Sequence, residues 1–116
     1  MRVVKKGSGD KYTPPGHDAA VTAIKLFDPE RGSPKVDVHI TTFAAKSGME
    51  EEVHPDSDHV LYMLRGTLEV RQGQKTVAVI SEGDTIHIPA GERHQTVNTT
   101  GEPATFVAVT VPPAGN

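Results

Sequence analysis

The chain has 116 residues, 35% of them hydrophobic, and a net charge of −3 from 12 basic and 15 acidic residues. A chain of this length supports one domain. The basic residues are scattered and only 4% of the residues are aromatic, so no basic stripe or stacking surface indicates a nucleic-acid partner. The complete lack of cysteine excludes disulfides, thiolate nucleophiles and sulfur metal ligands.

Targeting and membrane signals are not visible along the chain. The basic residues near Met1 are not followed by the apolar region of a signal peptide. No run approaches the roughly 20 apolar residues that a membrane helix needs. We therefore expect a cytoplasmic protein without a membrane partner.

Turn-forming residues organise the chain into short extended segments. Gly (11) and Pro (9) are frequent for so short a chain, which disfavours helices and favours many strands joined by turns. We predict a polar arm over 1–19, a β domain over 20–112 and a frayed tail over 113–116. About ten short strands are expected in a closed or sandwiched antiparallel architecture. The segments predicted to be extended are 21–27, 36–44, 52–54, 59–64, 67–71, 76–80, 85–88, 93–98 and 105–111.

The most informative run lies between residues 83 and 98 and reads as strand, tight turn, strand. Pro89 fixes its own φ, and Gly91 is placed to adopt a positive φ as the chain reverses. After the turn, His94, Thr96 and Asn98 share one face of the strand by its period of two. A histidine delivered to the inside of a barrel by a rigid turn is a candidate metal ligand.

A second group of candidate ligands surrounds the turn before the strand at 59–64. Glu52 and His54 share a face of the extended chain, and His59 follows after a four-residue turn. Together with His94 they offer three imidazoles and one carboxylate, a set that suits Zn, Fe, Mn, Ni or Cu. From spacing alone, a metal site and a metal-free polar cluster at a barrel mouth are equally compatible with this pattern.

The other three histidines are interpreted as structural or solvated. His17 follows a Pro-Pro-Gly tract, and we assign it no catalytic role. His39 lies in the middle of a predicted strand, where a structural role is favoured over a site role. His87 lies between two isoleucines and is treated similarly, as a residue that contacts the ligands without binding the metal itself.

Two motifs in this chain resemble those of the cupin family. The spacing Gly-x5-Pro-x-Gly-x2-His-x3-Asn over 83–98 is similar to the second cupin motif, and the segment EVHPDSDHVLYMLRG resembles the first. The resemblance covers about residues 48 to 98. It implies an all-β fold, a small antiparallel β-barrel or double-stranded β-helix of the jelly-roll kind.

The first motif can be aligned in two registers. In the preferred one, Glu52 takes the first histidine position of the family, His54 the second, and His59 the glutamate position. The rival register places His54 first and Asp56 second, and it leaves only two residues between Asp56 and His59. Both registers keep His54, His59 and His94 as metal ligands, whereas Glu52 is a ligand in the first alone.

The resemblance implies one divalent transition metal, Fe, Mn, Ni or Zn, in a mononuclear enzyme acting on a small organic molecule. Dioxygenase chemistry is slightly preferred over isomerase or lyase chemistry. The three-histidine set resembles some cupin dioxygenases, and cupins that open unsaturated sugar acids carry a Gln where His59 stands. Glu52 is the candidate catalytic base. The alternative is a non-catalytic module that binds a small ligand or a metal.

The resemblance also indicates the surroundings of the site and the assembly. A mostly apolar substrate pocket is expected around the metal. Its predicted lining residues are Phe43, Leu61, Met63, Thr96 and Phe106. Small cupins of this kind commonly dimerise, often by exchanging N-terminal strands, so we expect a homodimer.

Overall fold

The computed structural model describes residues 1–114, and the predicted tail at 113–116 therefore lies partly outside the described residues. Within them the chain forms ten strands and one 3-10 turn, Pro29–Arg31. The strands are β1 (Asp10–Tyr12), β2 (Val21–Phe27), β3 (Asp37–Phe43), β4 (Ser47–Gly48), β5 (Asp58–Arg65), β6 (Thr67–Gln72), β7 (Lys75–Ser81), β8 (Thr85–Ile88), β9 (Gln95–Asn98) and β10 (Ala104–Val111).

Two antiparallel sheets contain all ten strands. A six-stranded sheet has the order β1-β2-β3-β10-β5-β8, and a four-stranded sheet has the order β4-β9-β6-β7. Strands distant in sequence lie side by side, as in the pairing of β3 and β5 on either side of β10. This arrangement confirms the predicted all-β, jelly-roll-like fold. No helix within residues 1–114 has the length and hydropathy to cross a membrane.

Most predicted strands are present, and the differences occur where the chain is locally ambiguous. The segment Ser47–Gly48, which lies outside the segments predicted to be extended, is itself a two-residue strand paired with β9. Residues 52–54 form no strand, and their backbone is joined to neighbouring segments by the isolated bridge between Glu52 and His94 and by the hydrogen bond from the Gly91 amide to the His54 carbonyl. Tertiary pairing overrides the local signal in both segments, because a strand this short depends on its partner.

The core lies between the sheets, on the alternating positions of their strands that face inward. Phe43 and Met63 from the large sheet and Leu68 from the small one are fully buried. Gly66 closes the tight connection between β5 and β6 with a φ of 77°. A Cβ at Gly66 would collide with the backbone at Pro103, so the approach of these segments requires glycine.

Apolar and polar residues are separated along this interior. Phe43 and Phe106 pack with ring centroids 6.0 Å apart towards one end of the large sheet. Towards the other end, Thr110 pairs with both Asp37 and His59, which places three polar residues in one row across three strands. Because polar groups are costly to bury without partners, this end is where a functional site is expected.

Candidate functional site

A backbone bridge holds the predicted ligand segments together. The amide of Glu52 donates to the carbonyl of His94 at 2.9 Å, and the amide of His94 donates to the carbonyl of Glu52 at 3.0 Å. These two bonds place the segment at 52–54 beside the residue that precedes β9. Backbone hydrogen bonds alone therefore bring Glu52 and His94 together, independently of their side-chain contacts.

The turn before β9 supports the same arrangement. Gly91 has a φ of 82°, which confirms the left-handed conformation predicted for it. Its amide donates to the carbonyl of His54 at 2.9 Å. The turn that delivers His94 to the interior therefore also holds the segment carrying His54.

The side chains of Glu52, His54 and His94 converge on one point. Oε1 of Glu52 lies 3.0 Å from Nε2 of His54 and 3.2 Å from Nε2 of His94. One ligand atom from each of the three residues falls within 4.8 Å of the others. The carboxylate oxygen thus lies between two imidazole nitrogens, a spacing that suits a shared metal ion.

His59 stands beside this group as a third imidazole. Its ring centroid is 4.1 Å from that of His54 and 5.6 Å from that of His94. Nδ1 of His59 is 3.4 Å from the hydroxyl of Thr110, while its buried Nε2 has no hydrogen-bond partner within residues 1–114. A buried ring nitrogen without a partner is costly in a purely structural cluster. The three converging donors, Glu52, His54 and His94, are of the types that bind a divalent transition metal, and His59 stands beside them as a further imidazole.

The pKa values in the cluster follow from burial and from the contacts just described. Burial opposes ionisation of Glu52, but its contacts with His54 and His94 hold the pKa of this carboxyl well below its usual range. Burial also disfavours the charged form of His94, yet Glu52 and the Glu92 carbonyl raise the pKa of this imidazole. Burial and the neighbouring imidazoles lower the pKa of His59 to about 4. At neutral pH, Glu52 is ionised and His59 is neutral, which is the form that binds a metal.

A cavity of about 60 Å³ opens beside the cluster. Of the residues predicted to form the pocket, Leu61, Thr96 and Phe106 line this cavity. Phe43 and Met63 are instead fully buried in the core and are not among the lining residues. The lining residues also include His17 and His39, so five of the six histidines border one space.

Several cavity residues were not predicted as site residues from the sequence. Asp37, His39 and Thr41 occupy alternating positions of β3 and line the cavity, and Tyr12 joins them from β1. The available signal was parity, since these three positions of β3 share a face with the buried Phe43. His39 is therefore a cavity residue, whereas the sequence favoured a structural role for it. The exposed His87 lies outside the cavity and pairs with Asp58 at 2.9 Å.

Comparisons with known proteins agree on the fold. The family model described as "Cupin domain" matches residues 39–110. The polyketide cyclase RemF from Streptomyces resistomycificus is similar, with a TM-score of 0.82 and 23% identity over 96% of this chain and 79% of that one. A predicted oxalate decarboxylase from Thermotoga maritima has a TM-score of 0.80 and 20% identity over 97% of this chain and all of its own.

A third similar structure, a cupin-superfamily sugar phosphate isomerase from Silicibacter pomeroyi, has a TM-score of 0.78 and 19% identity over 97% of this chain and 76% of that one. No curated protein sequence matches the chain. At these identities the structural likeness shows the fold alone. The three named proteins also differ in the chemistry that their names describe, so the reaction must be argued from the site itself.

Proposed function

Because this chain belongs to the cupin family, we propose that it is a mononuclear, metal-dependent enzyme acting on a small organic molecule. The observation that carries the proposal is the convergence of Glu52, His54 and His94 within 4.8 Å, beside Nε2 of His59, which finds no hydrogen-bond partner among the described residues. These four residues are the proposed ligands of one divalent transition metal, Fe, Mn, Ni or Zn. When bound there, such a metal would act as a Lewis acid on an oxygen atom of the substrate.

We assign Glu52 primarily as a metal ligand rather than as a catalytic base. Its oxygen lies between two imidazole nitrogens, and its pKa is held below the usual range of a carboxyl group. A general base is most effective when its pKa lies near the working pH, so a carboxylate this acidic is a weak base. The role of catalytic base proposed for Glu52 from the sequence is thus less favoured than its role as a ligand.

Two reaction classes fit a metal in this cavity. Oxygen-dependent chemistry at iron is the class that the sequence slightly favours. One observation favours isomerase or lyase chemistry instead, because the carboxylate of Asp37 contacts His39 on the same cavity wall at 3.0 Å. A carboxylate-oriented imidazole is suited to moving protons, which isomerases and lyases require. Iron content with oxygen uptake would support the first class, and turnover with zinc or nickel would support the second.

Elemental analysis of purified, tag-free protein tests the metal site. We expect about one equivalent of a transition metal in the wild type. The metal should be lost in His54→Ala and in His94→Ala, since each substitution removes one of the proposed ligands. His87→Ala is the matched control, because this histidine is exposed and outside the cavity. A folded wild type that takes up none of Fe, Mn, Ni or Zn would refute the proposal. Stoichiometric metal without turnover of any carbonyl or oxidisable substrate would favour the non-catalytic module.

The outer face of the large sheet supports the proposed homodimer. Val60, Tyr62 and Leu64 alternate along β5 and are all exposed, and Val111 on the neighbouring β10 is exposed as well. Such a row of exposed apolar residues is typical of an interaction surface. If a second copy covers this face, a charge placed there should disrupt the dimer, and Tyr62→Glu should sediment as a monomer. Val79→Glu on the other sheet is the matched control, and a monomeric wild type would contradict the assembly.

A further inference from the structure

The wall of the cavity formed by β3 carries a histidine and a carboxylate in contact. Nδ1 of His39 lies 3.0 Å from Oδ1 of Asp37, and Asp37 is buried. Both residues line the cavity that the proposed metal ligands border. They lie two residues apart on the same face of one strand, so the strand backbone fixes the pair.

This contact determines which nitrogen of His39 is available to a ligand. A carboxylate beside Nδ1 favours the tautomer that carries its proton there, because Nδ1–H then donates to Asp37. Nε2 consequently keeps its lone pair and can accept a proton. This is the arrangement of an imidazole held ready as a general base, with Asp37 as its positioning residue.

The sheet register separates this pair from the proposed metal ligands by a defined distance. Thr110 pairs with Asp37 on one side and with His59 on the other. Two strand spacings, about 10 Å, therefore separate the backbones of Asp37 and His59. The side chains of Asp37, His39 and His59 line the same cavity. A small molecule bound in it would therefore contact both the His39–Asp37 pair and the proposed metal site.

The charges around the cavity indicate what kind of molecule this is. Among the described residues, neither the cavity nor the groove that shares Glu52 and His54 with it is lined by any lysine or arginine. The groove carries Glu50, Glu51 and Asp56. Apart from a metal, only the histidines among the described lining residues could place a positive charge beside a phosphate or a carboxylate, and the acidic side chains of the groove repel anions. An uncharged substrate is therefore favoured.

Tyr12 adds a hydrogen-bond donor at the same wall. Its ring packs edge-on against His39, with centroids 6.5 Å apart. Burial and the nearby carboxylates of Asp37 and Asp28 raise the pKa of this phenol to about 12, so it stays protonated at neutral pH. The wall thus offers one proton acceptor and one proton donor to a bound molecule.

We propose that His39, oriented by Asp37, is the acid–base residue of this cavity and that it enolises a small, uncharged carbonyl compound. Nε2 of His39 takes the proton from the carbon next to the carbonyl group. The electron pair of the broken C–H bond forms a carbon–carbon double bond while the π pair of the carbonyl moves to its oxygen, and the protonated imidazole then returns a proton to carbon as the carbonyl re-forms. No oxidant or reductant is needed. The inference rests on the proposed metal site, which would polarise the carbonyl oxygen.

The test is hydrogen–deuterium exchange of dihydroxyacetone in D2O, followed by proton NMR with zinc-loaded protein. We expect exchange well above the protein-free rate, and a loss of at least about 100-fold in His39→Gln, the usual contribution of a positioned base. Asp37→Asn should fall between the wild type and His39→Gln. Dihydroxyacetone phosphate should exchange about 10-fold more slowly than dihydroxyacetone, because the groove repels its charge. His87→Gln is the matched control and should exchange like the wild type.

Two readouts are independent of turnover. Calorimetric zinc titration should give the same affinity for His39→Gln as for the wild type, because His39 is not a ligand. Nitrogen NMR should show His39 protonated on Nδ1 in the wild type and a changed tautomer population in Asp37→Asn. Equal exchange in the wild type and His39→Gln, or no exchange at all, would overturn the acid–base role while zinc binding left the metal site standing. A wild type that binds no metal would instead refute the proposed function.

Discussion

Removing the metal should lower the melting temperature by a calculable amount. The ligands come from the segment at 52–54, from His59 on β5 and from His94 before β9, so only the folded chain brings them together. A ligand bound only by the native state at 100 times its Kd stabilises that state by about 2.7 kcal/mol. The 116 residues correspond to an unfolding entropy of about 0.24 kcal/mol/K. The expected change in melting temperature is therefore about 11 °C.

Differential scanning calorimetry measures this change directly. The metal-loaded wild type is compared with the same protein in excess chelator, and His94→Ala is treated identically. We expect the wild type to lose about 11 °C on chelation and the variant to lose little, because one ligand is already missing. His87→Ala should respond like the wild type, since His87 contacts Asp58 outside the cavity. A wild-type melting temperature that is indifferent to both metal and chelator would refute the reasoning.

Of three further predictions, two concern the pH dependence of metal affinity and of stability, and one concerns the backbone at a single glycine. Metal affinity should fall as the pH drops below about 6.5, because imidazoles bind metal only when neutral; isothermal titration at pH 7 and pH 5 checks this, and equal affinities would contradict histidine ligation. In the metal-free protein, the pKa of His59 is lowered from 6.5 to about 4, so the unfolded chain binds a proton that the folded one excludes, and stability decreases as the pH falls through that window. The raised pKa of His94 acts in the opposite sense, so the comparison of urea unfolding between the wild type and His59→Gln isolates the contribution of His59, and parallel pH profiles would count against it. Gly91→Ala should lower the free energy of unfolding by about 1–2 kcal/mol in the same assay, because φ at this position is 82°. A Cβ there would meet no atom of residues 1–114 within 4 Å, so backbone strain is the cause of the loss. Gly101→Ala is the control without a positive φ, and an equal cost in both variants would exclude backbone strain as the reason.

Much of the fold could be predicted from local sequence patterns. Alternating residues and turn formers placed most strands within a few residues of their observed bounds, as for β2, predicted and found at Val21–Phe27. The turn at Gly91 was predictable because a positive φ is a property of one residue. By contrast, β4 was missed, since its two residues form a strand only by pairing with β9, about fifty positions away along the chain.

The candidate metal cluster was also accessible from the sequence, although only in part. The period of two placed Glu52 and His54 on one face, and motif spacing added His59 and His94. The contact of Glu52 with both His54 and His94 was not predictable, because it depends on the backbone bridge between residues 52 and 94.

The sequence by itself determined which residues point inward, because the alternation of side chains along a strand is a local property of the extended backbone. It did not determine how far along the interior each of them lies. That depth is decided by the register between strands, as when Thr110 aligns Asp37 with His59. For this reason Phe43 and Met63, expected in the pocket, lie in the apolar core, whereas His39 borders the cavity. Register is a tertiary property, since it depends on pairing between segments that are remote in the chain.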